Sequence, residues 1–248
     1  MILSLARFFR LLIGILDLVL LTLILYPLSF LPKKWTKSFY PRLFHYWCKV
    51  FVSAFGIELR LHQKNKRPLP HHYIVISNHP SAFEDIGMPS LFNARFLAKR
   101  EVEHWWIGGR IAKAGGTLFF HRESKEGRNE GTQKMIEVLE KGHNIGLYPE
   151  GGCKGRRINT PFRYGIFDIS LKTNTPIIPV FLHYEIQEDF EWLTQHLLHK
   201  IWTILTSQNK RAHYYVYDAI YPSQFNNKEE YCQYVQDLYL DLQKRYLD

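Results

Sequence analysis

The chain has 248 residues, 46% hydrophobic and 22% charged, a composition that can build a folded core and excludes wholesale disorder and fibrous repeats. Its formal net charge of +9 predicts a polyanionic partner: nucleic acid, an anionic membrane surface or a phosphorylated substrate. Residues 1–50 contain seven Lys and Arg residues and one acid, so +6 of this excess lies in the first fifth of the chain.

The most apolar stretch, residues 11–31, lies within this basic part. It contains one charge, Asp17, and Pro27 is expected to end or kink its helix. A straight membrane span needs about 20 apolar residues. Residues 11–26 are short for one, so a re-entrant or interfacial helix is an equal alternative to a span. The sequence Pro-Lys-Lys-Trp follows, where a secretory signal peptide would have a small-residue cleavage site.

Residues 37–55 interleave aromatic and aliphatic side chains with Lys37, Arg42 and Lys49. This pattern is typical of an amphipathic helix whose cations meet lipid headgroups. We therefore predict a two-helix membrane element over residues 1–58, with anionic membrane lipids as partners; two core helices of a soluble protein are the alternative. Cationic flanks favour the cytoplasmic face of the (inner) membrane. A nucleic-acid-binding protein would instead carry its cations on a folded face, so nucleic acid is not expected as a partner.

Cysteine and histidine spacing predicts neither a disulfide scaffold nor a metal site. Cys48, Cys153 and Cys232 are odd in number and far apart, which fits a reduced state. The 12 His residues form no H-E-x-x-H pattern, so no metal is expected.

Past residue 60, short apolar runs alternate with helical patterns. Strands are predicted at residues 73–77, 95–98, 117–120, 144–148, 177–182 and 212–220, and helices at 83–92, 105–114, 127–141, 165–173 and 228–247. This alternation predicts an α/β domain over residues 59–248, with a sheet covered by helices on both faces. The amphipathic stretch 192–205 fits a second membrane-facing surface or a core helix equally well.

A histidine directly follows the first of these buried strands. His79 precedes Glu84 and Asp85 by five and six residues. If a short turn separates them, a carboxylate can accept a hydrogen bond from one imidazole nitrogen, fix the tautomer and leave the other nitrogen as a base. A surface hydrogen bond is the alternative for a lone His beside acids.

Three further polar clusters follow apolar runs: GGTLFFHR at 115–122, LYPEGG at 147–152 and TPIIPV at 175–180. With the His79 segment and Phe-Arg-Tyr-Gly at 162–165, their order and spacing resemble the four sequence blocks of the glycerolipid acyltransferases, which include the bacterial 1-acyl-glycerol-3-phosphate acyltransferases. The resemblance covers about residues 73–183, and the N-terminal membrane element is also similar to that of bacterial members. It implies the glycerolipid acyltransferase fold for residues 59–248, a mixed sheet flanked by helices.

The resemblance also implies an activity: an O-acyltransferase that moves a fatty acyl group from acyl-CoA or acyl carrier protein to the hydroxyl of a lysophospholipid such as 1-acyl-glycerol-3-phosphate. The acyl carrier is a substrate, and no cofactor is expected. His79 would be the general base, partnered by Glu84 or Asp85. The implied substrate-binding residues are Asn78, Ser81, Lys99, Arg122, Glu150, Gly151, Lys154, Arg163 and Pro179. Glu150, as an anion, would accept a hydrogen bond from an acceptor hydroxyl or orient Arg122.

The chain departs from the family pattern in three blocks. Glu84 stands where Asp is usual, so either its longer side chain serves or Asp85 is the partner of His79. His121 stands where Asp is usual, and Gly152 and Cys153 replace Thr-Arg. Failure of both acids would indicate an inactive relative, a membrane lipid-binding or scaffolding protein.

The third-block change removes an expected phosphate contact. Nearby cations that could replace it, or simply form a solvated basic loop, are Lys154, Arg156, Arg157 and Arg163. The departures therefore bear on the acceptor more than on the reaction, and a headgroup-bearing lysophospholipid or an amino-acid lipid is an alternative acceptor. Thioester hydrolysis without an acceptor is an alternative reaction.

Overall fold

The computed structural model describes residues 2–120, 124–193 and 197–248. Contacts divide the chain into two compact units. The helical unit comprises Met1–Glu58 and Asp85–Gly131, and the sheet unit comprises Leu59–Glu84 and Thr132–Asp248. The division into a membrane element over 1–58 and a catalytic domain over 59–248 stays a prediction.

Three helices precede the first strand, and strands and helices are interspersed over the rest of the described residues. The helices are α1 (Ile2–Leu28), α2 (Lys33–Thr36), α3 (Tyr40–Ala54), α4 (Glu84–Leu91), α5 (Arg100–Glu103), α6 (Gly108–Gly115), α7 (Lys125–Glu140), α8 (Gly165–Thr173), α9 (Gln187–Phe190), α10 (Leu197–Thr206) and α11 (Lys228–Tyr246). The strands are β1 (Glu58–Gln63), β2 (Ile74–Ser77), β3 (Arg95–Lys99), β4 (Leu118–Phe120), β5 (Ile145–Leu147), β6 (Ile177–Tyr184) and β7 (Arg211–Val216).

In the helical unit, α1 packs against α3 around a small core of Leu25, Tyr40, Phe44, Trp47, Cys48 and Ile111. The Tyr40 hydroxyl donates a hydrogen bond of 2.9 Å to the Leu25 carbonyl. The Trp47 indole donates one of 2.8 Å to the hydroxyl of Thr22. Strands β3 and β4 of this unit run parallel.

The first helix is longer than the sequence pattern suggested. It begins at Ile2, well before the apolar run, and ends at Leu28, one residue after Pro27, as expected for a proline that ends a helix. By length and composition alone, Phe8–Leu28 is long and apolar enough to cross a membrane. Many large apolar side chains of this segment are exposed, and Leu25 is the residue of the segment that is fully buried. The expectation that the apolar helix falls short of a span is therefore wrong.

In the sheet unit the strand order is β1-β7-β6-β2-β5. Strand β2 pairs in parallel with both β5 and β6, whereas β6 and β7 are antiparallel. This confirms the mixed sheet. All four residues of β2 are buried, as expected for a strand covered on both faces.

The predicted strands after residue 70 are confirmed to within a few residues, and α8 has its predicted bounds. The sixth predicted strand, 212–220, corresponds to β7, which ends at Val216, earlier than expected. Beyond it, an isolated β-bridge joins Ile177 to Ile220. Sequence patterns missed β1, because it is an edge strand whose residues are largely exposed and carry no buried apolar run. No hydrophobic pattern in the sequence therefore indicated that this segment pairs with the sheet.

Candidate functional site

The site is built on the loop between β2 and α4. His79 follows the end of β2 and is buried, with its ring Nδ1 3.0 Å from Oε2 of Glu84. The same Oε2 accepts a 2.7 Å hydrogen bond from the backbone N–H of Ser81, and the Ser81 hydroxyl accepts one from the N–H of Phe83. Ser-x-x-Glu is a helix-start sequence in which the glutamate reaches back to the first residue's N–H. Local chemistry thus turns Glu84 back toward His79.

Glu84 is completely buried and accepts hydrogen bonds on both oxygens. The hydroxyl of Tyr184 donates to Oε1, while His79 and Ser81 use Oε2. Burial raises the pKa of Glu84 well above its ordinary value, and the hydrogen bonds from Tyr184 and Ser81 oppose that shift. A carboxylate beside Nδ1 makes this nitrogen the donor, which leaves Nε2 as the basic nitrogen of His79.

An aromatic ring covers one face of His79. Tyr148, the residue after β5, stacks on the imidazole with ring centroids 3.8 Å apart and planes 6° from parallel. Tyr148 and Tyr184 are functional candidates that the sequence analysis missed. Tyr148 lies inside the third sequence block and was detectable there. Tyr184 is 100 residues from Glu84 in the sequence, and no local pattern connects them.

Glu150 holds the backbone of the same loop. Its Oε1 accepts a 2.8 Å hydrogen bond from the N–H of His79, and its Oε2 accepts one of 2.7 Å from the N–H of Asn159. Burial raises the pKa of Glu150 to about 7; the two N–H groups oppose the shift, and the charge of Glu84 adds to it. Both oxygens therefore serve the protein backbone. The predicted interaction of Glu150 with an acceptor hydroxyl or Arg122 stays a prediction, and His121 and Arg122 lie outside the described residues.

Gly151 forms a tight turn beside Glu150. Its φ is +78°, a conformation that favours glycine, and its N–H donates to the Tyr148 carbonyl at 3.0 Å. A Cβ at this position would lie 3.2 Å from Nε and 3.3 Å from Cγ of Arg163. Glycine therefore allows the exposed Arg163 side chain to lie against the turn.

The basic residues after Gly151 differ in their partners. Arg156 pairs with Glu191 at 2.7 Å and with Glu188 at 2.6 Å, and Arg157 pairs with Asp248. Two of the four cations proposed to replace the missing phosphate contact are therefore already paired with carboxylates of the protein. Among the described residues, no carboxylate pairs with Lys154 or Arg163, and both side chains are exposed.

Asn78 has a structural explanation for its position. Its Nδ2 donates to the Leu182 carbonyl and its Oδ1 accepts from the Leu182 N–H, both at 2.8 Å, which ties the end of β2 to β6. Pro179 lies on β6 opposite Ile76, and its carbonyl accepts a 3.1 Å hydrogen bond from the N–H of Tyr217. Substrate contacts of Asn78, Ser81 and Pro179 stay predictions.

Two predicted residues belong to the helical unit. Asp85 is the second residue of α4, and Lys99 is the exposed last residue of β3. Of the two acids left open by the sequence, Glu84 is hydrogen-bonded to His79. The catalytic roles of Glu84 and Asp85 stay predictions.

Comparison with known proteins identifies the class of fold. The structure resembles the crystal structure of the 1-acyl-sn-glycerophosphate (LPA) acyltransferase PlsC from Thermotoga maritima, with a TM-score of 0.62 over 94% of this chain and 97% of that one. The two chains are 18% identical, so the likeness concerns the fold. It confirms the predicted α/β class. A family model described as Acyltransferase matches residues 58–183. The chain belongs to this family.

Curated relatives agree with that assignment. The 1-acyl-sn-glycerol-3-phosphate acyltransferase of Neisseria gonorrhoeae is 26% identical over 121 residues, 48% of each chain. The lyso-ornithine lipid O-acyltransferase of Pseudomonas aeruginosa is 27% identical over 144 residues, 58% of this chain and 54% of the relative. The chain spans about half the length of these relatives.

Proposed function

We propose that this protein is a membrane-associated O-acyltransferase that transfers a fatty acyl group from acyl-CoA or acyl carrier protein to the hydroxyl of a lysophospholipid. A 1-acyl-glycerol-3-phosphate is the proposed acceptor, in line with the name of the Neisseria relative. The observation that carries the proposal is the buried pair of His79 and Glu84, 3.0 Å apart, inside the region that matches the family.

In the proposed reaction, Nε2 of His79 takes the proton of the acceptor hydroxyl as its oxygen attacks the thioester carbonyl. The tetrahedral intermediate collapses, the carbon–sulfur bond breaks and the thiolate leaves as the ester forms. General base catalysis of this kind contributes about 10²- to 10⁴-fold. Throughout the reaction Glu84 accepts a hydrogen bond from Nδ1–H of His79, and its charge stabilises the imidazolium. The imidazolium then gives up the proton on Nε2 to the thiolate or to solvent.

The acceptor phosphate would meet cations near the Gly151 turn. Lys154 and Arg163 are exposed there, and a guanidinium fork suits phosphate oxygens. Arg122 is the third cation that we propose for this role, on the strength of the sequence resemblance. The thiol carrier is a substrate, and the proposed chemistry requires no metal or further cofactor.

A lyso-ornithine lipid is the second candidate acceptor. The similarity to the Pseudomonas lyso-ornithine lipid O-acyltransferase favours it. So does the replacement of the Thr-Arg of the third block by Gly152 and Cys153, because an ornithine headgroup carries no phosphate.

The experiment is an acceptor screen with the full chain in detergent micelles, using acyl-CoA and acyl carrier protein as donors. Transfer to lysophosphatidate is expected, and the His79→Ala variant should lose about 10²- to 10⁴-fold. The control is His71→Ala, a substitution of an exposed histidine of the same unit, which should retain activity. Transfer to no lysolipid would contradict the proposal. Hydrolysis of acyl-CoA in place of transfer, with the lysolipids present, would contradict it as well. Preferential transfer to lyso-ornithine lipid would support the second acceptor.

For the membrane, we propose that α1 inserts its exposed apolar face into the bilayer and that the cations after it contact anionic headgroups on the cytoplasmic face. Each Lys near such a surface contributes about 1 kcal/mol. The double variant Lys33→Glu, Lys34→Glu should therefore bind anionic vesicles at least tenfold more weakly. The control double variant Lys66→Glu, Arg67→Glu changes the same charge in the sheet unit and should bind normally. Equal losses in both would contradict the proposed headgroup contacts.

A further inference from the structure

Tyr184 is the last residue of β6, and its side chain is almost completely buried. Its hydroxyl donates a hydrogen bond to Oε1 of Glu84. Its ring stacks on Phe190, with centroids 4.1 Å apart and planes 9° from parallel, which holds the hydroxyl in place. Tyr184 lies one residue beyond the region that matches the family model.

The hydroxyl completes the hydrogen bonding of a buried carboxylate. Oε2 already accepts from Ser81 and His79, at 2.7 and 3.0 Å, and Tyr184 serves the opposite oxygen. A buried carboxylate that loses a donor is strongly destabilised as an anion. Removing only this hydroxyl would therefore both loosen the carboxylate and weaken its charged form.

We propose that Tyr184 is a positioning residue for the acyl transfer: it anchors one oxygen of Glu84 so that the other stays directed at Nδ1 of His79. The inference rests on the proposed function and deepens it. Glutamate has one more methylene than the aspartate expected here, and so one more rotatable bond to restrain. Tyr184 supplies that restraint from the neighbouring strand.

The charge environment gives the expected direction with pH. The titratable groups that act on Glu84 or on its hydrogen-bond partners are His79, Tyr184, Tyr214, Tyr148 and Glu150. Burial raises the pKa of Glu84 and the Tyr184 hydrogen bond lowers it, so loss of the hydroxyl should raise that pKa further. The His79–Glu84 pair would then take up a proton at higher pH. Since the base must be unprotonated, the acidic limb of the activity profile should move to higher pH.

The test is the Tyr184→Phe variant, which retains the ring and its stacking. We expect kcat to fall about 10- to 100-fold with little change in KM for the acceptor, because a hydrogen bond to a charged group is lost. The acidic limb should shift upward by about one pH unit. The matched control is Tyr231→Phe, which removes an equally buried hydroxyl that donates to the Ile220 carbonyl at 2.9 Å. It should leave the pH profile unchanged.

A double-mutant cycle separates positioning from packing. Glu84→Asp shortens the side chain by about 1.5 Å, so the carboxylate cannot keep both partners. Tyr184→Phe should therefore reduce kcat much less in the Glu84→Asp background than in the original chain. Equal losses in both backgrounds would overturn the proposal.

A readout without turnover separates this inference from the proposed function. In the ¹⁵N-histidine spectrum of the full chain, His79, assigned with His79→Ala, should be protonated at Nδ1 near neutral pH. Tyr184→Phe should shift its titration, and Tyr231→Phe should not. A shift without any acyl transfer would support the positioning role and contradict only the function. An unchanged titration and pH profile in Tyr184→Phe would overturn the positioning role.

Discussion

The backbone N–H of His79 donates a 2.8 Å hydrogen bond to Oε1 of Glu150. Because Oε2 of the same carboxylate accepts the N–H of Asn159, one buried side chain connects the loop after β2 with the loop after β5. Two carboxylates thus position His79: Glu84 orients the imidazole ring, and Glu150 holds the backbone that carries it. Loss of either should affect the proposed chemistry without removing a substrate contact.

The first prediction concerns Glu150→Gln. An amide can accept only one of the two N–H groups and presents its own N–H₂ to the other, so the His79 loop should shift. We expect kcat for acyl transfer to fall about 10-fold or more, since small misplacements of a base are costly. Glu140→Gln, a substitution at an exposed glutamate, is the control. Normal kcat in Glu150→Gln would contradict the holding role.

The second prediction is a pH dependence of stability. The pKa of Glu150 is about 7 in the folded protein against an ordinary value of 4.5, so between these pH values the folded state binds more protons than the unfolded chain. This contribution is present at low pH and is lost as pH rises through 7. Thermal unfolding in detergent should show Tm decreasing from pH 5 to pH 8, and less steeply in Glu150→Gln. Parallel curves for the two proteins would refute this assignment.

The third prediction distinguishes the two acids after His79. Glu84→Gln removes the charge that orients the imidazole, and the proposed mechanism then loses its stabilised imidazolium. We expect kcat to fall about 10²-fold or more. Asp85→Asn, one residue further along α4, should retain most activity. Kinetics of the two variants side by side decide the matter, and the reverse order of losses would show that Asp85 is the functional partner.

The fourth prediction uses three glycines. Gly151→Ala must adopt a φ of +78° and places Cβ 3.2 Å from Nε of Arg163, whereas Gly142→Ala meets a φ of +75° but has open space. Both should lose about 1–2 kcal/mol of stability from the backbone. Only Gly151→Ala should also raise KM for a phosphate-bearing acceptor, because Arg163 must move. Gly152→Ala, which has open space and no positive φ, should be neutral. An equal KM for the acceptor in all three variants would contradict a role for Arg163 in binding the acceptor.

The fifth prediction concerns Asn78, whose side-chain amide makes two hydrogen bonds with the backbone of Leu182. Asn78→Ala removes the hydrogen bonds to the buried N–H and carbonyl of Leu182 and should lower the free energy of unfolding by about 2–4 kcal/mol. KM for the acceptor should change little in the folded fraction. Asn129→Ala on the exposed surface of α7 is the control and should lose no stability. A raised KM at unchanged stability would instead indicate that Asn78 binds substrate.

Local sequence was sufficient for much of the fold. Short buried runs separated by amphipathic stretches predicted the strands after residue 70 because burial on both faces selects continuous apolar residues. The Ser-x-x-Glu start of α4 likewise lies within six residues of His79, so a short turn is enough to bring the glutamate side chain to the imidazole. By contrast, β1 is exposed at the edge of the sheet and left no pattern to detect.

The sequence by itself determined the alternating α/β order, the apolar helix beside a cluster of cations, and the position of His79 at the end of a buried strand. Only the tertiary structure decided that Glu84 is the acid hydrogen-bonded to His79, that Glu150 serves the backbone and that Tyr184 joins the site from β6. The reason is physical: these contacts join residues whose separation in the chain is bridged by sheet pairing, and hydrophobic periodicity reports burial but not which polar groups meet inside.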